Sequence, residues 1–247
     1  MDKRIIIKQR EILIFASPQQ LAVYACKLWR EIAATAIAER NYFTVALSGG
    51  KSPIVFYQML AQDKQNNYWG KTDVFQVDER FVPHNHQDSN FKLLQDNLFV
   101  PLKLPRSKIH AIPTDLSLPH AVQNYAKELD DFFQVTAPQY PQFDLIMLGV
   151  GKDGHTASIF PHHPEQLQIQ TMVAATATKT MPHQRITISL PLINNARNVV
   201  FIVTGKDKAE ILAQIIKQDD QQLPAALVKP VNGKLLFLLD AEAANWL

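Results

Sequence analysis

Five short apolar runs, alternating with stretches of helical pattern, restrict the folds open to this chain more than any other feature of its sequence. The runs are Phe43 to Leu47, Val74 to Val77, Phe143 to Leu148, Val199 to Val203 and Leu235 to Leu239. Between them helical pattern lies at about Pro53 to Leu60, Ser89 to Phe99, Pro119 to Phe133 and Lys206 to Lys217. Short continuous apolar runs read as strands buried on both faces, and their alternation with helices predicts an α/β fold, a mostly parallel sheet with helices on both faces. A longer helix is predicted from Ser17, its cap, to about Arg40, with Pro18 in the first turn and Gln20 completing a capping box. Leu21, Tyr24, Cys26, Leu28, Trp29, Ile32, Ala33, Ala36 and Ile37 give it a broad apolar face, so Cys26 is read as a core residue and not as a reactive thiol. With no internal repeat, low-complexity tract or long linker, residues 1–247 are read as a single domain.

Open parallel sheets bind ligands beyond the carboxyl ends of their strands, and four of the runs end in segments with chemistry in them. Composition narrows what such a site holds. The 25 basic and 23 acidic residues leave a formal charge of +2 with no long basic block, which argues against a nucleic-acid or membrane-surface partner and for a small anion. One cysteine permits neither an internal disulfide nor a cysteine zinc cluster and suits a reducing cytoplasm. The three-residue apolar run near the amino terminus is too short for a signal peptide or a membrane span, so the chain is expected to be cytoplasmic. Oligomeric state is not legible.

The first segment, Ser48-Gly49-Gly50-Lys51-Ser52-Pro53, runs from a strand into a helix with Ser52 as its expected cap. Its glycines let backbone N–H groups approach a ligand, and the helix start adds partial positive charge, which together suit phosphate; by themselves they also make a tight turn with no ligand. Val45 stands where a nucleotide P-loop needs glycine, which rejects the resemblance of Gly50-Lys51-Ser52 to that motif. The second segment, Asp78-Glu79-Arg80, sets an acidic pair beside an arginine at a strand end, a group that can hold an anionic or hydroxyl-rich substrate, with the planar fork of Arg80 suited to phosphate or a carbonyl oxygen. Asp88 and Ser89, further on, read as helix caps.

The third segment, Leu148 to Ser158, carries Gly149, Gly151 and Gly154, an unusual turn that puts His155 at the mouth of the sheet. Histidine is the natural general base near neutral pH, and Asp153 or another carboxylate nearby orients it. In the fourth, Thr204 to Ala209, Lys208 opposes a helix dipole and calls for an anion; a solvated surface lysine is the plain alternative. His84, His86, His162 and His163 lack the spacing and carboxylate partner of a zinc hydrolase motif, and no metal or cofactor is assigned.

These segments, in this order, resemble the 6-phosphogluconolactonase family over nearly the whole chain, including Arg185-Ile186-Thr187 before a strand and the closing Leu239-Asp240 with Ala243-Ala244. The resemblance implies a Rossmann-like fold shared with glucosamine-6-phosphate deaminases, and hydrolysis of 6-phosphogluconolactone in the oxidative pentose phosphate pathway without a cofactor. It implies His155 as base, with Arg80 near the substrate; Asp78 and Asp153 join the catalytic set on the reading of the residues themselves. Ser48, Gly49, Gly50 and Lys208, with Arg185 added, would hold the sugar phosphate. Lys51 departs from the small hydroxyl residue common in the family, and either adds a phosphate contact or points to solvent. The deaminase branch carries a glutamate where this chain has Phe160. A sugar-phosphate sensor, the reading from a different class, is normally attached to a DNA-binding segment, for which no room is expected before the first helix.

Overall fold

The computed structural model describes residues 3–8, 10–179 and 181–247. In chain order the strands are β1 (Lys3–Ile7), β2 (Arg10–Phe15), β3 (Phe43–Leu47), β4 (Thr72–Gln76), β5 (Asp78–Arg80), β6 (Ile109–His110), β7 (Leu145–Leu148), β8 (Val173–Thr176), β9 (Arg185–Ile188), β10 (Asn198–Val203) and β11 (Lys234–Asp240). The α-helices are α1 (Pro18–Arg40), α2 (Ile54–Gln62), α3 (Asn90–Leu94), α4 (Val100–Leu102), α5 (Leu118–Phe133), α6 (Pro164–Leu167), α7 (Leu190–Asn194) and α8 (Ala209–Ala213).

Eight strands pair in the order β1-β2-β11-β10-β7-β3-β4-β6, all parallel except for the edge hairpin β1–β2. From β3 the chain steps outward through β4 to β6, returns to β7 beside β3, and steps outward the other way through β10 and β11. Progression along the sheet therefore reverses between β3 and β7, where the loops leaving adjacent strands diverge and open a crevice. The predicted mostly parallel sheet is present.

Both faces of the sheet are apolar because β3 supplies both. Phe43, Val45 and Leu47 join a cluster with Trp29, Phe56 and Leu98, while Ala46 faces the opposite cluster of Phe75, Tyr125, Phe143 and Phe237. Helix α1 starts where the sequence predicts: Ser17 Oγ accepts from Gln20 N at 3.3 Å, and Asn41 ends it at φ 67°. It buries Leu21, Ala22, Ala25, Cys26, Trp29, Ala33 and Ala36 on one face. Burial pushes the Cys26 thiol up to about 12, as befits a core residue.

Several boundaries move for identifiable reasons. Strand β7 begins at Leu145, because the Asp144 carboxylate is a tie: it accepts from Thr44 N at 2.9 Å, Thr44 Oγ1 at 3.0 Å and Arg40 Nη2 at 2.7 Å. The segment predicted as one helix over Ser89 to Phe99 is α3 followed by a wider π turn, Gln95–Phe99, and then α4. Lys206 to Lys217 is likewise a 3-10 turn, α8 and a π turn. Arg185-Ile186-Thr187, expected to precede a strand, is itself in strand β9.

Strand β9 belongs to a second, three-stranded antiparallel sheet, β5-β9-β8, that sequence periodicity did not reveal. The chain passes from one sheet to the other at Val77, whose N–H donates to Leu47 O at 3.0 Å and whose carbonyl accepts from Ile188 N at 2.9 Å. Arg80 thus leaves the main sheet and comes into register opposite Arg185. Among the described residues, no helix is long and apolar enough to cross a membrane.

Candidate active site

A cleft of about 1010 Å³ opens beyond the carboxyl ends of β3, β7 and β10 and beside β5. Ser48, Gly49, Gly50, Lys51, Asp78, Arg80, Asp153, His155, Arg185 and Lys208, all the site residues read from the sequence, line it. They come from five separate stretches of chain, brought together by the reversal between β3 and β7 and by the turn at Val77.

The Ser48 to Gly50 loop is held from below by Tyr57, whose hydroxyl donates to Ser48 O at 2.6 Å. Ser48 Oγ is buried and has no hydrogen-bond partner among the described residues, an orphan that a ligand oxygen would satisfy. Gly49 is required by a close approach: a Cβ there would lie 1.8 Å from Asn90 Oδ1. Ser52 does not cap α2 as the sequence led us to expect. Pro53 stands at the cap, and Ser52 Oγ instead accepts from Thr204 N at 3.2 Å, tying the loop to the end of β10. Lys51 is exposed on the cleft wall.

The acidic pair of the second segment divides. Glu79 is fully buried and accepts from Gln76 Nε2, Arg80 N, Ser89 Oγ, Asn90 N and Phe91 N at 2.6–3.0 Å, so it caps α3 and fixes β5 without lining the cleft. Asp78 does line the cleft, with Oδ2 accepting from Ser158 Oγ at 2.6 Å. Ser89 also caps α3, its Oγ accepting from Lys92 N at 3.2 Å, whereas Asp88 is turned to His183. Asn90, to which sequence reasoning assigned no role, anchors the arginine: its Nδ2 donates to Asp78 O at 2.9 Å and its Oδ1 accepts from Arg80 Nη1.

Arg80 and Arg185 face each other across β5 and β9. Arg185 is buried over the Phe160 ring, 5.6 Å from its centroid, and its Nε has no hydrogen-bond partner among the described residues. Burial first, and then the Arg80 charge, lower the Arg185 pKa against the pull of Asp78, Glu79 and Asp153. Half-buried Lys208 lies across the cleft, in the turn after β10; burial lowers its pKa, and Asp207 opposes that shift. Asp240, another residue without an assigned role, holds that turn by accepting from Gly205 N at 3.1 Å through both carboxylate oxygens. Among the described residues, none of Arg80, Arg185 and Lys208 has a carboxylate within ion-pair distance. These three cations share the cleft with the orphaned Ser48 hydroxyl, and together they can offer positive charge and hydrogen bonds to an anion.

His155 sits at the other side of the turn that follows β7. Its Nδ1 is 2.6 Å from Asp153 Oδ1, and its backbone N–H donates to the same oxygen at 3.2 Å. Burial alone would raise the Asp153 pKa, but the hydrogen bond and charge of His155 outweigh it and hold the carboxyl below its ordinary range. An ionised carboxylate only accepts, so Nδ1 donates to it, and in the neutral imidazole the lone pair then lies on Nε2. Gly151 makes room for the pair: a Cβ there would lie 2.1 Å from His155 Nδ1 and 2.5 Å from Asp153 Oδ1. The Phe160 ring packs beside the imidazole, centroid to centroid 4.9 Å.

The profile of the family described as glucosamine-6-phosphate isomerases/6-phosphogluconolactonase matches residues 16–237, and the chain belongs to that family. Among its relatives, the 6-phosphogluconolactonase of Synechocystis sp. is 43% identical over 213 residues, 85% of this chain and 87% of that protein. The human 6-phosphogluconolactonase is 37% identical over 246 residues, 96% of this chain and 93% of that one. The crystal structure of 6-phosphogluconolactonase from Thermotoga maritima superposes with a TM-score of 0.80 at 29% identity, covering 93% of this chain and 98% of that chain. A monomeric glucosamine-6-phosphate deaminase shares the fold at 17% identity and a TM-score of 0.80.

Proposed function

We propose that this chain hydrolyses 6-phosphogluconolactone to 6-phosphogluconate, the step its relatives are named for, and does so in the cytoplasm. The observation that carries the reading is the pairing, in one cleft, of an oriented imidazole with three cations, Arg80, Arg185 and Lys208, none of which has a carboxylate within ion-pair distance among the described residues. Lys208, Arg80, Arg185, Ser48 Oγ and the backbone of Gly49 and Gly50 bind the phosphate and neighbouring oxygens, with Lys51 at the rim. Asp78, its carboxylate steadied by Ser158, accepts hydrogen bonds from sugar hydroxyls.

Phosphate binding fixes the lactone so that its carbonyl carbon lies within reach of a water held by His155 Nε2. That nitrogen takes a proton as the water oxygen bonds to the carbonyl carbon. Asp153 stabilises the imidazolium that forms, and the tetrahedral intermediate then collapses with cleavage of the bond to the ring oxygen, which receives the proton from Nε2. The product acid ionises, so each turnover releases one proton to solvent. Water activation falls to the imidazole and needs no metal, and activity is expected to survive exhaustive treatment with a chelator. Loss of activity on chelation and its return with zinc would overturn that assignment.

The deaminase activity found on the same fold is the competing reading, and Phe160 stands against it. Where that branch carries a glutamate, this chain sets an aromatic ring beside the imidazole, and the run Thr156 to Pro161 supplies no carboxylate for the relay that ring opening of an amino sugar requires. The direct test follows proton release at constant pH after adding freshly prepared lactone, with spontaneous hydrolysis subtracted. Saturable acceleration with the phosphorylated lactone, and far weaker acceleration with the unphosphorylated one, is expected. Binding without acceleration would mark a sensor and sink the enzyme reading.

A further inference from the structure

His86, Asp88 and His183 lie outside the residues that line the cleft. Nothing in the sequence joins them, because His86 and His183 are 97 positions apart and local spacing speaks only against a zinc motif. In the fold, one ligand atom from each lies within 4.8 Å of those of the other two. His183 Nε2 is 3.0 Å from Asp88 Oδ2, His86 Nδ1 is 3.8 Å from the same oxygen, and the two imidazole planes cross at 80°.

We propose that His86, Asp88 and His183 form a binding site for a divalent transition-metal ion of the zinc class, at the rim of the cleft and outside the reacting centre. A tetrahedral zinc ion with bonds of about 2.0–2.1 Å keeps its ligands about 3.4 Å apart, and the two separations from Asp88 Oδ2 bracket that value. Two imidazoles and one carboxylate favour zinc, nickel or cobalt over magnesium or calcium, which prefer oxygen donors. The side chains are 38%, 47% and 24% exposed for His86, Asp88 and His183, so an ion enters without unfolding and a water completes the fourth position. The ion would replace the hydrogen bond between His183 and Asp88 and the one that His86 Nδ1 accepts from Asp88 N at 3.1 Å.

The site also has a place in the mechanics of the cleft. Asp88 lies on the loop that follows β5, and His183 on the segment that leads into β9. These are the strands that carry Arg80 and Arg185, and Arg80 Nη1 donates to Asp88 O at 3.2 Å. An ion bridging the two segments pins together the backbone from which both arginines project. It contributes no group to the hydrolysis, so the chelator experiment and this one are independent.

The test is calorimetric titration of tag-free protein with zinc chloride in phosphate-free buffer. Wild type, His86→Ala, His183→Ala, the double variant and His155→Gln are compared, with circular dichroism checking that each is folded. His155→Gln controls for the other half-exposed histidine–aspartate pair. One ion per chain is expected in wild type and in His155→Gln. Disturbing groups outside a metal's ligand shell already costs roughly 10–100-fold in affinity, so each single ligand removal is expected to cost at least that and the double variant to show no saturable binding. Absence of binding by wild type, undiminished binding by the folded double variant, or loss of binding in His155→Gln would each overturn the proposal.

Discussion

Gly151 offers a test of the catalytic pair that leaves both of its side chains in place. A methyl group there would lie 2.1 Å from His155 Nδ1, so Gly151→Ala must displace the imidazole. Small misplacements of a reacting group cost on the order of 10²-fold, and kcat is expected to fall by about that factor while the melting temperature changes little; an unchanged kcat would detach the pair from the chemistry. Lys208 makes a different prediction, because it binds phosphate similarly in ground and transition states. Lys208→Ala is expected to raise KM for the phosphorylated lactone, at a cost of about 1.5–3 kcal/mol for a lost charge-assisted contact, and to leave the unphosphorylated lactone nearly untouched. The lysine also has a pH signature. Burial lowers its pKa, so it loses its charge at a lower pH than an exposed lysine does, and inhibition by inorganic phosphate is expected to weaken as pH rises through that titration. Spontaneous lactone opening is subtracted at each pH, and inhibition that stayed constant up to the ordinary lysine range would remove Lys208 from the phosphate site.

At the scale of elements, the helices and long central strands were legible because periodicity and caps act locally. Ser17 and Pro18 start α1 as read, and the fully buried Phe43–Leu47 is β3 to the residue. The small sheet was not legible. Two of its three strands, β5 and β9, carry Asp78, Glu79, Arg80 and Arg185, whose charges conceal any two-residue alternation, and β5 is joined to β9 by pairs more than a hundred positions apart. Ser52 was misread for a related reason: Ser-Pro is a local start signal, but a tertiary bond to Thr204 N claims its hydroxyl. Glu79 was read as half of a substrate-binding pair and proves to be the clamp of this region. Glu79→Gln replaces one accepting oxygen by a donor against several N–H and O–H groups. Stability is expected to fall by about 1–3 kcal/mol in urea titrations, with a rise in KM as Arg80 loosens. A Glu79→Gln protein with wild-type stability would contradict the capping role.

For the whole molecule, the sheet order does the assembling, and the lining of the candidate cleft was legible because each segment follows directly from a strand that ends on the same side. Asn90, by contrast, reaches the cleft wall as an anchor for Arg80, and Asp240 acts through the turn at Gly205; no local pattern distinguishes them from ordinary surface or cap residues. The layers depend on packing remote from the chemistry. Trp29, fully buried edge-on to Phe43 at 5.1 Å, joins α1 to β3, and Trp29→Ala is expected to cost about 3–5 kcal/mol of stability, read from denaturant midpoints, with kcat of the folded fraction little changed. The central claim is that this assembly exists to let His155 activate water against a lactone held by its phosphate. Steady-state proton release by wild type and His155→Gln, corrected for spontaneous hydrolysis, tests it most directly. The account predicts a kcat lower by roughly 10²–10⁴-fold in a folded variant whose KM is little changed; a folded His155→Gln protein that turned over the lactone at the wild-type rate would contradict it.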